Sequence, residues 1–350
     1  MIKSMKLRLA AEWELQSAVL IAWPHAGTDW ARQLAAVENG YLVLAAAITR
    51  FEPLLVIVAN TAVEAHARSL LGDADIKLDR VRFITFPYND TWLRDCGPIT
   101  LSDERGGFQF TDFRFTGWGG KYEGTQDDDL VAGLLRSGLF SRVTHHRINW
   151  ALEGGAIECD GEGTLLTTWR CLKQRHPKQS RIQISAMLQE YLHANRVLWL
   201  EHGYLEGDDT DAHIDTLARF ASNQSIVFQG CDDSGDPHYE ELQRMGSELE
   251  SLRTRNGQTY NLYPLPWARP VIDEGRRLAA SYANYLVING AVLVPAYGDA
   301  ADDKAASVIA AAHPEREVVK VPCRPFIWQN GSLHCLTMQL PKGLPLGDIG

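Results

Sequence analysis

Short apolar runs separated by turn residues recur along the chain and predict buried β-strands. These strands cover residues 18–23, 54–58, 164–168, 197–200, 225–228 and 292–295. Helical patterns lie between them, at residues 31–50, 127–139, 179–194, 237–254 and 302–312. Prolines mark the ends of these segments. Because strands alternate with helices, the pattern predicts an α/β fold.

No stretch rich in glycine, serine and proline divides the chain, and no internal repeat is visible in the sequence. The segment nearest to a linker, 256–269, contains Tyr260, Tyr263 and Trp267. That aromatic content is too high for a free hinge. We therefore expect a single domain that spans residues 1–350.

The composition is that of a folded protein with a full core. The 350 residues are 45% hydrophobic and 22% charged, and the formal net charge is −10. No run of lysine or arginine interrupts the acidity, so we expect no nucleic-acid partner. The field of an acidic protein concentrates positive charge, which favours a small cation as the partner.

No stretch approaches 18 consecutive apolar residues, and residues 1–6 are not followed by the apolar segment of a signal peptide. We therefore expect a cytoplasmic protein with no membrane partner. The six cysteines show neither C-x-x-C nor regular spacing, which argues against a disulfide framework and a zinc module. Glycine-rich nucleotide motifs and the G-x-S-x-G motif of serine hydrolases are missing as well.

Four segments place ionisable side chains beside glycine or within apolar runs: 89–98, 151–157, 207–220 and 330–337. This arrangement costs free energy unless the charged groups are paired or used chemically. Glu153 precedes two glycines, so its carboxylate is presented on a turn or forms a salt bridge at a strand end. For Asp95, a turn or cap role and a pairing with Arg94 are also open.

His213 and Asp215 are two residues apart, so on a strand both would point to the same face. The pair would combine a proton carrier with a carboxylate. The alternatives are a core histidine satisfied by a neighbour, and a metal site with hard oxygen ligands from Asp208, Asp209 and Asp211. No second histidine lies at ligand spacing, which weakens the metal alternative.

Cys335 lies in the C-terminal segment S-L-H-C-L-T. A lone cysteine is most often a buried inert thiol. In an extended segment His334 would face away from Cys335, so a base would have to come from elsewhere, and His213 is the best-placed histidine. Carboxylates together with one cysteine and one histidine suit a guanidinium substrate, which pairs with carboxylates through two edges and exposes one electrophilic carbon.

These segments resemble the agmatine deiminase family, which includes bacterial peptidylarginine deiminases and belongs to the guanidino-group modifying superfamily. The matching stretches are W-P-H (23–25), N-D-T-W-L-R-D-C-G-P (89–98), F-T-G-W-G-G-K-Y (115–122), L-E-G-G (152–155), T-D-A-H-I-D (210–215) and H-C-L-T (334–337). They cover nearly the whole chain in order. The resemblance implies a five-bladed, pseudo-symmetric α/β propeller of ββαβ modules around a central active site.

The resemblance also implies roles for the matching residues. Cys335 would be the nucleophile and His213 the general acid and base. Asp95 and Asp215 would hold the guanidinium, and Glu153 would orient His213 or the substrate. No metal and no other cofactor is implied.

Two positions depart from the family pattern. Ala212 stands where the family usually has glycine, and only Gly331 remains of a glycine run that often precedes the cysteine. Both changes would narrow or stiffen the entrance, and neither removes a reacting group.

The implied reaction is hydrolytic deimination through a covalent thiouronium on Cys335, with agmatine converted to N-carbamoylputrescine and ammonia. The distal ammonium of agmatine would be bound by carboxylates or aromatic faces, for which the candidates are Asp90, Trp92, Trp118 and Asp211. A peptidylarginine or free arginine substrate would instead need a cation at that end, and Arg114 or Lys121 could supply it.

Nearby carboxylates raise the pKa of a thiol, so we expect Cys335 to form a thiolate only when the cationic substrate is bound. Two functions of other classes stay open. One is a metal-dependent hydrolase built on His213 and Asp215, and the other is a polyamine-binding protein without catalysis. A homo-oligomer is compatible with the sequence.

Overall fold

The computed structural model describes residues 7–347, so the expectation drawn from residues 1–6 lies outside the described residues. Its strands are β1 Arg8–Leu9, β2 Gln16–Ala22, β3 Leu54–Val58, β4 Val81–Thr85, β5 Ile99–Ser102, β6 Phe108–Arg114, β7 Thr144–Ala151, β8 Ile157–Cys159, β9 Thr164–Thr168, β10 Arg196–Leu200, β11 Ala218–Ser222, β12 Ser225–Gln229, β13 Asn261–Leu265, β14 Val271–Asp273, β15 Arg276–Leu278, β16 Leu286–Ile288, β17 Ala291–Ala296, β18 Glu317–Pro322 and β19 Thr337–Pro341.

The helices lie mainly between the second and third strands of each sheet. They are α1 Leu34–Phe51, α2 Thr61–Asp73, α3 Leu93–Cys96, α4 Gly117–Gly120, α5 Thr125–Asp128, α6 Leu130–Arg136, α7 Trp169–Arg175, α8 Arg181–Leu192, α9 Tyr239–Ser251 and α10 Asp302–Ala312. Short 3-10 turns occur at Asp29–Arg32, Leu78–Arg80, Gly154–Ala156, Ile214–Thr216 and Phe326–Gln329.

The predicted α/β alternation is confirmed. Each predicted strand is present, and β3 and β9 have the predicted bounds. The predicted helices are present too, with the segment 127–139 divided into α5 and α6.

Five sheets share one strand pattern, in which an antiparallel pair is followed by a parallel third strand. They are β5-β6-β7, β8-β9-β10, β11-β12-β13, β16-β17-β18 and β19-β2-β3. In each sheet, one or more helices connect the second strand to the parallel third strand, as parallel pairing requires. We call each such ββαβ unit a module. The modules repeat a backbone pattern rather than a residue pattern, which explains why no repeat is visible in the sequence.

The last module joins the two ends of the described chain. Strand β19 pairs antiparallel with β2, with Thr337 opposite Ile21. The residues just before β19 are thereby fixed against the core formed by β2 and β3, whose side chains are almost all buried. The backbone position of Cys335, just before β19, is therefore rigid.

Helix α1 is apolar enough to raise the question of a membrane span. It is 18 residues long with a mean hydropathy of 1.2, and half of that window is buried inside the fold. It packs on β3 and β18, and Tyr41 contacts Phe326 edge-to-face. These contacts are those of a core helix.

Candidate active site

One polar residue from each module lies just before that module's first strand. They are Asp95 before β5, Glu153 before β8, Asp215 before β11, Asn284 before β16 and Cys335 before β19. All five are buried, and Asp95 and Cys335 line the same cavity. Equivalent positions of five similar modules thus supply the polar residues of one site.

Tight turns, rather than strands, present the two residues of the H-x-D pair. Asp215 lies in the 3-10 turn Ile214–Thr216, and His213 is the residue before that turn. The prediction that they share one face of a strand is therefore wrong. Asp211 and Ala212 both have positive φ, 68° and 71°, which breaks the extended chain before His213. The left-handed φ of Ala212 also explains why glycine is usual at this position in the resembled family.

Cys335 lies in a turn at residues 333–336 and is 4% exposed. Its Sγ is 3.3 Å from Asn284 Nδ2 and 3.6 Å from Asp215 Oδ2. Burial raises the pKa of the Cys335 thiol well above its ordinary value, and the charges of Asp215 and Asp95 raise it further. The thiol is therefore protonated in the free protein at neutral pH.

His213 lies between two carboxylates and is fully buried. Its Nε2 is 3.4 Å from Glu153 Oε2, and its Nδ1 is 3.6 Å from Asp95 Oδ1. Burial lowers the pKa of His213, but the charge of Asp95 and contacts with Cys171 and Glu153 outweigh it, so the pKa is raised well above the ordinary value. The imidazole is thus a proton donor at neutral pH.

The two carboxylates beside His213 differ in their environment. Burial would raise the pKa of Glu153, but the hydrogen bond from His213 and the charge of Arg175 lower it to about 2. Burial raises the pKa of Asp95 to about 6 against the opposing effect of His213. Asp95 also accepts hydrogen bonds from Trp118 Nε1 at 2.8 Å and from the Gly155 amide at 3.0 Å.

Gly155 explains why three reacting groups can converge. A Cβ at this position would lie 2.7 Å from both Asp95 Oδ1 and His213 Nδ1, and 3.1 Å from Asp215 Oδ2. Real Cβ atoms do not approach so closely, so a side chain here would push these groups apart. The glycine pair of L-E-G-G therefore gives the site its space.

Two buried polar atoms of the site have no hydrogen-bond partner among the described residues. They are His213 Nδ1 and Asp215 Oδ1. Buried polar atoms are almost always paired, so unpaired ones in a cluster of reacting groups are free to bind a ligand.

A cavity of about 430 Å³ leads to Cys335. Besides Asp95, its lining carries the carboxylates Asp29, Asp90, Glu123, Asp127 and Asp209, whereas Arg276 is its one cation among the described residues. Such a lining attracts a cationic ligand.

Three of the four predicted substrate-binding residues line this cavity, namely Asp90, Trp92 and Trp118. Asp211 does not line it, because its carboxylate bonds to Lys121 Nζ and Arg175 Nη1, each at 2.7 Å. Lys121 is thereby committed to Asp211, and Arg114 is outside the lining.

Besides the cavity carboxylates Asp29, Glu123 and Asp127, sequence reasoning missed three residues of the site. Asn284 contacts Cys335, Arg175 pairs with Glu153, and Arg276 lines the cavity. None of the three has a sequence signal, and the position of Asn284 before the first strand of its module becomes apparent only in the structure.

The predicted metal ligands are used within the protein. Asp208 accepts hydrogen bonds from Thr210 and from the Ala212 amide. Two other donor groups are close enough for an ion, Glu153 with Cys171 and His213, and Glu12 with Glu158 and His334. An arginine is hydrogen-bonded to the carboxylates of each group, which already balances their charge.

Comparison with known proteins places this geometry among guanidino-modifying enzymes. Residues 8–341 match the model of the Porphyromonas-type peptidyl-arginine deiminase family. The agmatine deiminase of Stutzerimonas stutzeri is 33% identical over 358 residues, which is 95% of each chain.

Solved structures of deiminases are similar to this chain as well. A crystal structure from Porphyromonas gingivalis, provisionally named an arginine deiminase, is 45% identical with a TM-score of 0.90 and covers 97% of this chain and 99% of its own. A substrate-bound variant of the C. jejuni agmatine deiminase is 32% identical with a TM-score of 0.89 and covers 98% of each chain.

Proposed function

The chain belongs to the Porphyromonas-type peptidyl-arginine deiminase family, and from this membership we propose that it hydrolyses agmatine to N-carbamoylputrescine and ammonia. The observation that carries the proposal is the position of the Cys335 thiol. It lies 3.6 Å from Asp215 Oδ2 at a cavity lined by six carboxylates and one arginine. Curated relatives that match over 95% of this chain are agmatine deiminases.

In the first half of the proposed reaction, Asp95 and Asp215 hold the guanidinium over Cys335. The thiolate sulfur forms a bond to the guanidinium carbon and gives a neutral tetrahedral adduct. His213 then donates a proton to one NH₂ group, the C–N bond breaks, and ammonia leaves. A cationic thiouronium remains on Cys335, and one difficult displacement is divided into two easier ones.

In the second half, water attacks the thiouronium carbon and His213 accepts its proton. The adduct expels the Cys335 thiolate and releases the hydroxyl proton to solvent, which yields the ureido product and converts the released ammonia to ammonium. The net change is one guanidinium and one water converted to one urea and one ammonium. His213 donates in the first half and accepts in the second, which is the behaviour of a general acid and base.

The charge of the substrate starts this cycle. The free Cys335 thiol has a raised pKa, because it is buried and faces Asp215 and Asp95. A bound guanidinium neutralises those carboxylates and lowers the pKa of the thiol again, so the thiol releases its proton to solvent before the sulfur attacks. Each pKa unit corresponds to about 1.4 kcal/mol, so a decrease of a few units makes the Cys335 thiolate substantially easier to form.

The cavity lining favours agmatine over arginine substrates. The distal ammonium of agmatine would meet Asp90, Asp127 and Asp209, with Trp92 as an aromatic face. Arg276 is the one lining residue that favours a distal carboxylate, as free arginine or a peptide C-terminus would present. Its guanidinium is bonded to Asn330 Oδ1 and the Trp328 carbonyl, which leaves it less available.

We further propose that the five modules form a five-bladed propeller and a single domain around this site. The support is the equivalent placement of Asp95, Glu153, Asp215, Asn284 and Cys335, one before the first strand of each module. A cytoplasmic location, a homo-oligomer, and the lack of nucleic-acid and membrane partners stay predictions from the sequence.

Ammonia release tests the proposal. The wild-type protein and Cys335→Ala are incubated with agmatine, free arginine and a peptide that ends in arginine. We expect release from agmatine by the wild type alone, unchanged by a chelator. Release that a chelator abolishes, or that survives Cys335→Ala, would indicate a metal-dependent hydrolase. Tight agmatine binding without ammonia would indicate a polyamine-binding protein.

A further inference from the structure

A second buried histidine lies behind Asp215. His334 Nδ1 is 2.8 Å from Asp215 Oδ2, and His334 is 1% exposed. Residues 333–336 form a turn and not an extended segment. The turn directs the His334 side chain to Asp215, whereas Cys335 lines the substrate cavity.

The outer side of His334 contacts the N-terminal segment. His334 Nε2 is 2.7 Å from Glu12 Oε1, and Glu12 Oε2 accepts from Arg219 Nη2 at 2.5 Å. Arg219 also bonds to Glu158, and Arg94 lies 3.3 Å from Glu12. Arg219 Nη2 also lies 2.9 Å from His334 Nε2. Asp215 is therefore connected through His334 to a cluster of carboxylates and arginines that includes residues of β8 and β11.

This cluster is separate from the substrate cavity. Glu12, Arg94 and Glu158 line a second cavity of about 90 Å³, which shares no lining residue with the cavity that leads to Cys335. The His334 side chain therefore reaches the reacting atoms only through Asp215.

Few other contacts hold the Asp215 carboxylate in place. Its Oδ1 has no partner among the described residues, and its Oδ2 is bonded to His334 and lies 3.6 Å from Cys335 Sγ. A carboxylate that loses its one strong donor in a buried site rotates or takes up a proton. Either change would weaken its bond to a guanidinium.

We propose that His334 is a positioning residue that fixes the Asp215 carboxylate for guanidinium binding, with Glu12 as its outer partner. This inference rests on the proposed deiminase function. It assigns a role to a residue that lies next to the nucleophile in sequence but does not touch the substrate.

Two amide variants of similar polarity test the inference. His334→Asn places an amide nitrogen near the position of Nδ1, which keeps the contact with Asp215. His334→Gln places it near Nε2, which keeps the contact with Glu12 and loses the contact with Asp215. We expect His334→Asn to keep the KM for agmatine within threefold, and His334→Gln to raise it more than tenfold.

A matched control separates positioning from folding. His238 forms a similar buried pair, with Nδ1 2.7 Å from Asp236 Oδ1, and it does not line the substrate cavity. We expect His238→Gln to lower the melting temperature as His334→Gln does while KM stays unchanged. Equal KM values for His334→Asn and His334→Gln, or an equal rise in His238→Gln, would overturn the inference.

Two further measurements keep the test decisive. If His334→Gln does not fold, Glu12→Gln replaces it, and we expect at least a threefold rise in KM, whereas an unchanged KM overturns the inference. The alkylation rate of Cys335 by an amidinium reagent should fall with His334→Gln and not with His334→Asn. This rate needs no turnover, so the inference can fail or hold separately from agmatine hydrolysis.

Discussion

Arg175 Nε donates to Glu153 Oε1 across 2.8 Å, and neither side chain is exposed to solvent. The other side of the arginine bonds to Asp211 Oδ2 and to the Thr210 carbonyl. Arg175 therefore connects the carboxylate beside His213 to the segment that presents His213. Through Arg175, Asp211 helps to fix the position of Glu153, although Asp211 does not line the cavity.

Removal of this arginine should cost both stability and activity. In Arg175→Met, the buried carboxylate of Glu153 would lose its arginine and keep only the longer contact with His213, so we expect the free energy of unfolding to fall by about 3–5 kcal/mol. The pKa of Glu153 would rise from its value of about 2, which weakens its contact with His213. Urea denaturation and ammonia release measure the two effects.

A double variant provides the control for that prediction. Arg175→Met combined with Glu153→Gln removes both charges, so it should be more stable than Arg175→Met alone, although still inactive. If the double variant is no more stable than the single variant, the ion pair is not the source of the loss.

The contacts around Gly155 predict a loss of activity without unfolding. In Gly155→Ala the new Cβ would lie 2.7 Å from Asp95 Oδ1 and from His213 Nδ1. These groups must move apart, and small displacements of reacting groups cost about 100-fold in rate. We expect kcat for agmatine to fall at least that far, with a destabilisation of about 1–3 kcal/mol from overpacking.

Gly72 is a matched control for this substitution. It lies in helix α2, and a Cβ there would meet no atom within 4 Å. Gly72→Ala should therefore stabilise the protein by about 0.5–1 kcal/mol and leave kcat unchanged. Equal kcat values for Gly155→Ala and the wild type would contradict the close approach.

The sequence predicted those strands and helices in which buried positions are apolar and exposed positions are polar. Strand β3 is a run of buried apolar residues, and α10 follows a helical period, so both were predicted with their observed bounds. Strand β7 was missed because its first four residues are exposed and polar.

The site was predictable where a residue belongs to a motif. Cys335, His213 and Asp95 each lie in a segment that places charge among glycines or apolar residues. Asn284 and Arg175 do not, because an isolated amide and a basic residue in a helix are common on any surface. Their roles follow from burial and from long-range contacts, which the sequence does not record.

The raised pKa of Cys335 predicts selective alkylation. A neutral reagent such as iodoacetamide should react slowly at pH 7, because the thiol is protonated and buried. An amidinium-bearing reagent brings its own positive charge and should react at least tenfold faster. Mass spectrometry of the labelled peptide measures both rates.

Cys335→Ala is the control for specific labelling, since the other five cysteines are also buried and free. Agmatine should protect Cys335 from the amidinium reagent. If the two reagents label the wild type at equal rates, the thiolate does not depend on the bound cation.

The carboxylates of the cavity predict a pH dependence that differs between substrates. Burial raises the pKa of Asp90 and of Asp127 to about 7 each. A cation binds to their ionised forms, so its affinity should fall as the pH drops below about 7 and these groups take up protons. For agmatine, whose distal ammonium would meet both groups, we expect KM to rise steadily from pH 7.5 to pH 5.5.

The comparison substrate is n-butylguanidine, which has the same reacting group but no distal ammonium. Its binding depends on Asp95, whose pKa is about 6, so its kcat/KM should fall only below about pH 6. In Asp90→Asn, the KM for agmatine should be higher at pH 8 and should change less with pH. The two substrates are compared by their pH profiles of kcat/KM. Parallel profiles would show that Asp90 and Asp127 do not bind the distal ammonium, because protonation of Asp95 alone affects both substrates equally.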